Sequence, residues 1–450
     1  DCGLQFYAIP GNHDLFGPHG KHVATRFVTA PGKTALVTSD PHHRPDAILT
    51  DALRCHGQPD ALMPMAAFGL FRQPHYLHWE TPFGTSDAPD ARAYDATAAD
   101  GSVTHRLMDA SYLVEPEPGL WLLMIDANVF EPRPGRSDPT RKKAFLDPSE
   151  AGWNAVLRVK PFLLPWIADV TARAAALGKT LVTVSHYPVL DPFQDDAGSD
   201  RVLFGATAIA RRTPTADVGQ ALFAAGLQWH AGGHLHVNAT NRMSVGARSL
   251  TDLALPSLVA FPAAFKVLHA TPRRVKVETV ALDDLPPDPR LTALYCAEGR
   301  NALALPFDAF LAAQFRARIR AHRLPHDWPP HLVTMVADMT AADLVEMIGG
   351  DARQGIAAAA LRGYRMADMI TDAYILREAG SLARGWIDPA GLSICRALAR
   401  DLGDDGIDPA SSDAAFFRRF LSVVQVSLNR MDADDTLIDL STSASGTIGL

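Results

Sequence analysis

The chain has few cysteines, no basic excess and no long apolar run, and each shortage removes a class of protein. Its four cysteines in 450 residues, Cys2, Cys55, Cys296 and Cys395, lie far apart and form no C-x-x-C pair, which excludes a zinc ribbon and a thioredoxin-like centre. They read as structural thiols, with one or two disulfides open if the protein is exported. The formal net charge is -8, from 42 Lys and Arg against 50 Asp and Glu. Nucleic-acid binding is therefore not expected, because a general binding surface needs a basic excess to displace counterions. Apolar residues make up 47% of the chain, yet no uninterrupted run approaches the roughly 20 residues of a transmembrane segment. No G-x-S-x-G elbow or Cys-His pattern supports a nucleophilic serine or cysteine enzyme. The first residue is Asp, and no signal-like segment precedes the run at Gln5. The chain thus reads as processed or as a fragment, and localisation stays open between cytoplasm and export.

What is present has the grammar of an α/β protein. Runs rich in Val, Leu, Ile and aromatics predict strands at LQFYAIP (4–10), SYLVEP (111–116), LWLLMIDAN (120–128), TLVTVSHYP (180–188), LQWHAGGHLH (227–236), SLVAFPAAFKVLHA (257–270) and RVKVETVAL (274–282). Helical periodicity fills 161–178 and 215–226, each ending at a glycine, Gly178 and Gly226, that reads as a helix stop. Residues 17–104, rich in Pro, His, Asp and Ala, read as an insertion over one face of the sheet. After DDLPPDP the pattern turns to Ala, Leu and Arg at helical spacing. This places a boundary near 287, with a metal-site α/β domain over 1–287 and a mainly helical region over 288–450.

Three of the expected strands end in polar clusters: Asn12-His13-Asp14, then His186, then His234-Leu235-His236. Ligands of open α/β sheets gather outside the carboxyl ends of strands, so these clusters can converge despite their separation in sequence. Neutral imidazole with amide or carboxylate oxygen suits Zn, Fe or Mn. His234 and His236 would share one face of an extended segment, or reach two adjacent ions from a tight loop, and Gly232 and Gly233 permit close backbone approach. Three other segments read mainly as loop or turn. These are His42-His43-Arg44, His75 to His78, and Asp126 with Asn128, which could instead line the pocket.

PGNHD (10–14), VSHYP (184–188) and GGHLH (232–236), in that order and each after a strand-like run, resemble the later signature blocks of calcineurin-like metallophosphoesterases. The resemblance spans roughly 4–282. It implies an α/β sandwich of two mixed β-sheets flanked by helices, and hydrolysis of a phosphate ester in a phosphorylated substrate of open class. It further implies two metal ions (Mn, Fe or Zn), about 3.5 to 4 Å apart, that activate a water for in-line attack. Residue by residue, Asn12, His186 and His234 would bind one ion and His236 the other. His13 would act as acid or charge stabiliser, with Asp14 fixing its tautomer.

The family's earlier Asp-x-His and Gly-Asp blocks, the second carrying the bridging carboxylate, have no counterpart in this sequence. Two readings follow. Either the chain is an N-terminally truncated enzyme, or it is a degenerate relative serving as a non-catalytic scaffold. On the first reading the chain alone is expected to be aggregation-prone and nearly inactive, with Asn12, His13, His186, His234 and His236 still clustered and at most one ion held.

Overall fold

The computed structural model describes residues 3–440 apart from 16, 31, 140, 142, 195–197, 284, 300–304, 350–355 and 433–436. The fold is mixed α/β, built on a seven-stranded sheet in the order 239–245, 248–254, 229–232, 180–185, 120–125, 112–117, 78–80. The four inner strands from 248–254 to 120–125 run parallel. The strands flanking them, and 78–80 at one edge, are antiparallel to their neighbours. Parallel neighbours put their carboxyl ends on one edge of the sheet. The segments that follow residues 125, 185 and 232 therefore leave it side by side.

The crossover helix Leu163–Ala176 buries Leu163, Trp166, Ile167, Val170 and Ala174, an apolar stripe at helical spacing whose larger side chains each contribute about 1.5–3 kcal/mol. It stops where Gly178 takes φ 64°, and the Ala216–Ala224 helix stops before Gly226 at φ 86°, as the two glycines predict. A three-stranded antiparallel sheet, 264–270, 274–281 and 437–439, packs on the large one. Val275, Val277 and Ile438 meet Trp229, Ala231 and Leu253 there.

The expected strand over 4–10 does not form. This stretch pairs with no strand among the described residues. Ala8 N–H donates to Phe68 O (2.8 Å) and Tyr112 Oη–H to Ala8 O (2.9 Å). Its neighbour is the 66–70 turn, kinked at Gly69, and a turn offers one carbonyl where a strand would offer a ladder. Tyr7, Ala8 and Ile9 still pack on the main core, while Leu4 and Phe6 are exposed. The 17–104 region contributes the 78–80 edge strand and an exposed hairpin of 24–30 with 33–38.

Residues 289–432 are largely helical and share a core that includes Trp328, Met366, Leu376, Leu398 and Phe417. Leu203 and Phe261 join that core from the preceding region. Cys55, Cys296 and Cys395 are free thiols, and Cys2 lies outside the described residues. No described helix is long and apolar enough to cross a membrane.

Candidate metal centre

Gly11 to Asp14 closes a turn in which Asp14 Oδ2 accepts the Gly11 N–H (2.7 Å) and Asp14 N–H donates to Gly11 O (3.3 Å). The Asp14 carboxylate is thus engaged on its own turn, and no hydrogen bond joins it to His13 among the described residues. The turn presents Asn12 to His186. Gly11 is required here: a Cβ at that position would stand 2.7 Å from His186 Nδ1 and Cε1.

His186 leaves the 180–185 strand and His234 follows the neighbouring 229–232 strand. Their loops are tied by Gly233 N–H donating to His186 O at 2.8 Å. Gly232 lets them cross, since a Cβ there would meet Tyr187 O at 2.5 Å. His234 and His236 both take left-handed φ, 65° and 57°, so GHLH is a tight loop rather than an extended segment. Such conformations cost about 1–3 kcal/mol each outside glycine and concentrate at functional sites.

Three donor atoms converge. His186 Nε2 lies 2.9 Å from Asn12 Oδ1, His234 Nδ1 lies 3.1 Å from Asn12 Oδ1, and the two ring nitrogens are 3.3 Å apart. Ligands bonded at about 2.1 Å stand about 3.0 Å apart at right angles and about 3.4 Å apart in a tetrahedron. The observed triangle fits one face of such a site. The protonation also fits. His234 Nε2 faces Ser149 O at 2.9 Å, and a carbonyl only accepts, so Nε2 carries the hydrogen and Nδ1 of the neutral ring presents its lone pair. Burial pushes His186 down to about 4, with Asp14 opposing, and His234 down to about 3, with His186 adding to the fall. Both rings are neutral near pH 7, the state a ligand requires.

The cluster is two imidazoles completed by an amide oxygen. Among the described residues, no three His, Cys, Asp or Glu side chains gather in metal-binding geometry. His13 and His236 lie nearby in exposed positions. Each acts electrostatically on His186, and His236 also senses Glu378 and Arg318 from the C-terminal helices. The C-terminal region braces this loop directly. Asn238 N–H donates to Glu378 O (2.9 Å) and Asn238 Nδ2 to Ala379 O (3.1 Å). Gly380 is so close that a Cβ would stand 2.3 Å from Asn238 O.

No family model matches the chain, and no curated protein matches it.

Asp126 and Asn128 follow their strand but face inward. Asp126, with Asp109, holds the buried Lys160 ammonium. Among the described residues, neither His42-His43-Arg44 nor His75 to His78 hydrogen-bonds to the cluster; His78 pairs with Glu80 at 2.7 Å, and Arg44 with Asp46 at 3.4 Å. The supporting groups that the sequence analysis missed are Ser149 and Tyr187. Asp147 caps the Pro148–Val159 helix by accepting from Ser149 N–H (3.0 Å), which aims the Ser149 carbonyl at His234. The Tyr187 ring lies 4.9 Å from His186 and 4.4 Å from His234. An Asp-Pro-Ser helix start was visible in the sequence; its neighbour in space was not.

Proposed function

We propose that the chain has a calcineurin-like metallophosphoesterase fold, the large sheet and the sheet packed on it forming the sandwich, and that its site serves metal-dependent hydrolysis of phosphate esters. The observation that carries this reading is the triangle of Asn12, His186 and His234, three residues from distant segments brought within 3.3 Å of one another in neutral form. These three would hold a divalent cation such as Mn, Fe or Zn. A bound cation supplies Lewis acidity toward a phosphoryl oxygen. His13, exposed beside the cluster, would donate a proton or stabilise charge on the departing group. Ser149 O and the Gly233–His186 backbone bond keep the two rings oriented.

The test is metal content, followed by phosphate binding and turnover. The purified chain is expected to take up one equivalent of Mn or Zn, and Asn12→Ala or His234→Ala to abolish uptake. The metal-loaded form is expected to bind inorganic phosphate, and the chelated form is not. Turnover of an aryl phosphate ester, measured on the full product of the gene, should fall roughly 10²- to 10⁴-fold in His13→Ala with metal content unchanged. Absence of metal uptake, or a metal-loaded protein inert to mono- and diesters, would overturn the hydrolase reading and leave a scaffold on the same fold.

A further inference from the structure

A buried hydrogen-bonded chain crosses the sheet directly beneath the candidate ligands. Ser185 Oγ lies 2.8 Å from His230 Nε2, and His230 Nδ1 lies 2.8 Å from Asp252 Oδ1. The order Ser-His-Asp is that of a nucleophile relay, but the surroundings exclude that role. All three side chains are buried, and the Ser185 hydroxyl also accepts from Trp153 Nε1–H (3.0 Å) and donates to Tyr187 O (2.7 Å). It has no face left for a substrate.

What the chain holds is the loop that carries His186. At one end Ser185 fastens Tyr187 O. At the other, Asp252 Oδ2 accepts Val189 N–H (2.8 Å) and Leu190 N–H (2.9 Å). Residues 186–190 are thus clamped on both sides of Pro188 by neighbouring strands. Trp153, which anchors Ser185, sits on the same helix whose Ser149 carbonyl orients His234. Gly152 kinks that helix, at φ 43° and ψ -145°, where a Cβ would meet the Tyr187 ring at 2.8 Å.

We infer that Asp252 and His230 are positioning residues for the metal ligand His186, acting through the 186–190 loop without touching the ion. This rests on the metal-site reading. The charge of the Asp252 carboxylate strengthens its bonds to two backbone N–H groups and to the imidazole, so an amide at this position holds all three more weakly. Loss of such supporting partners typically lowers metal affinity 10- to 100-fold.

The experiment compares Mn and Zn dissociation constants of the whole chain as wild type, Asp252→Asn and His230→Gln, with Leu398→Ala as a control. Leu398 is buried in the C-terminal core, so its truncation lowers thermal stability without reaching the loop. Asp252→Asn is expected to weaken binding at least tenfold, His230→Gln by less because Asp252 still holds Val189 and Leu190, and Leu398→Ala not at all. If Asp252→Asn does not fold, His230→Gln carries the test. A wild type that binds metal while the relay variants match it within twofold refutes the positioning role alone. Equal weakening by Leu398→Ala and the relay variants refutes it too, by tracing the effect to general destabilisation. A wild type that takes up no metal refutes the site reading itself.

Discussion

Replacing Lys160 by Met separates a structural from a functional role for the strand-end residue Asp126. Lys160 Nζ donates to Asp109 Oδ2 (2.8 Å), Asp126 Oδ2 (2.9 Å) and Asp126 O (2.8 Å), using all three of its hydrogens. All three side chains are at most 1% exposed. At an effective dielectric of about 20, each charge pair attracts by roughly 6 kcal/mol, most of it offset by desolvation. Deleting one partner of a buried pair costs about 3–5 kcal/mol, because the remaining charges stay buried and unpaired. Here two carboxylates would be left together, and burial already raises the Asp126 pKa. Lys160→Met is therefore expected to lose about 3–5 kcal/mol in urea unfolding, or about 3–5 °C in Tm at roughly 1 °C per kcal/mol for a chain of 450 residues. The loss should shrink toward pH 5, where an unpaired buried carboxyl takes a proton and loses its charge. The triple variant Lys160→Met, Asp109→Asn, Asp126→Asn should recover more than half of it. A loss below about 1 kcal/mol at pH 7, or no recovery in the triple variant, would refute the structural role.

Gly11→Ala would drive a methyl group into the His186 ring, and its metal affinity, read by equilibrium dialysis, is expected to drop at least tenfold while the far-UV circular dichroism stays unchanged. Unaltered affinity would show that the close approach is not needed. With chelator present, stability should also fall on acidification. Below about pH 6.5 the unfolded chain protonates His186 and His234, whereas the folded chain keeps them neutral down to about 4 and 3, so the unfolded state binds more protons throughout that window. Urea midpoints should therefore drop between pH 7 and pH 5 more steeply in wild type than in a His186→Asn, His234→Asn variant, and parallel profiles would refute the assignment.

Periodicity and punctuation determined much of this protein before any tertiary contact entered. The apolar runs at 120–125 and 180–185 form strands as their composition predicts, and the helix over 163–176 followed from its spacing and from Gly178. His186 and His234 were legible as candidates for the same local reason, since polar residues ending an apolar strand mark the carboxyl edge of a parallel sheet, whereas the run before Asn12 forms no strand. Other features depended on neighbours distant in the chain. The 4–10 run has strand composition but meets a turn instead of a strand, and backbone pairing needs a partner that composition cannot supply. Asp126 lies at a strand end like His186, yet the Lys160 ammonium draws it inward. Asn238 reads as an ordinary polar residue until the end of the Met366–Ala379 helix arrives to bond it. His230, Ser185 and Asp252 read as isolated polar residues within apolar strands, because their partnership depends on the register of parallel neighbours. Chain order says which residues line a strand; only the packed sheet decides which of them face one another.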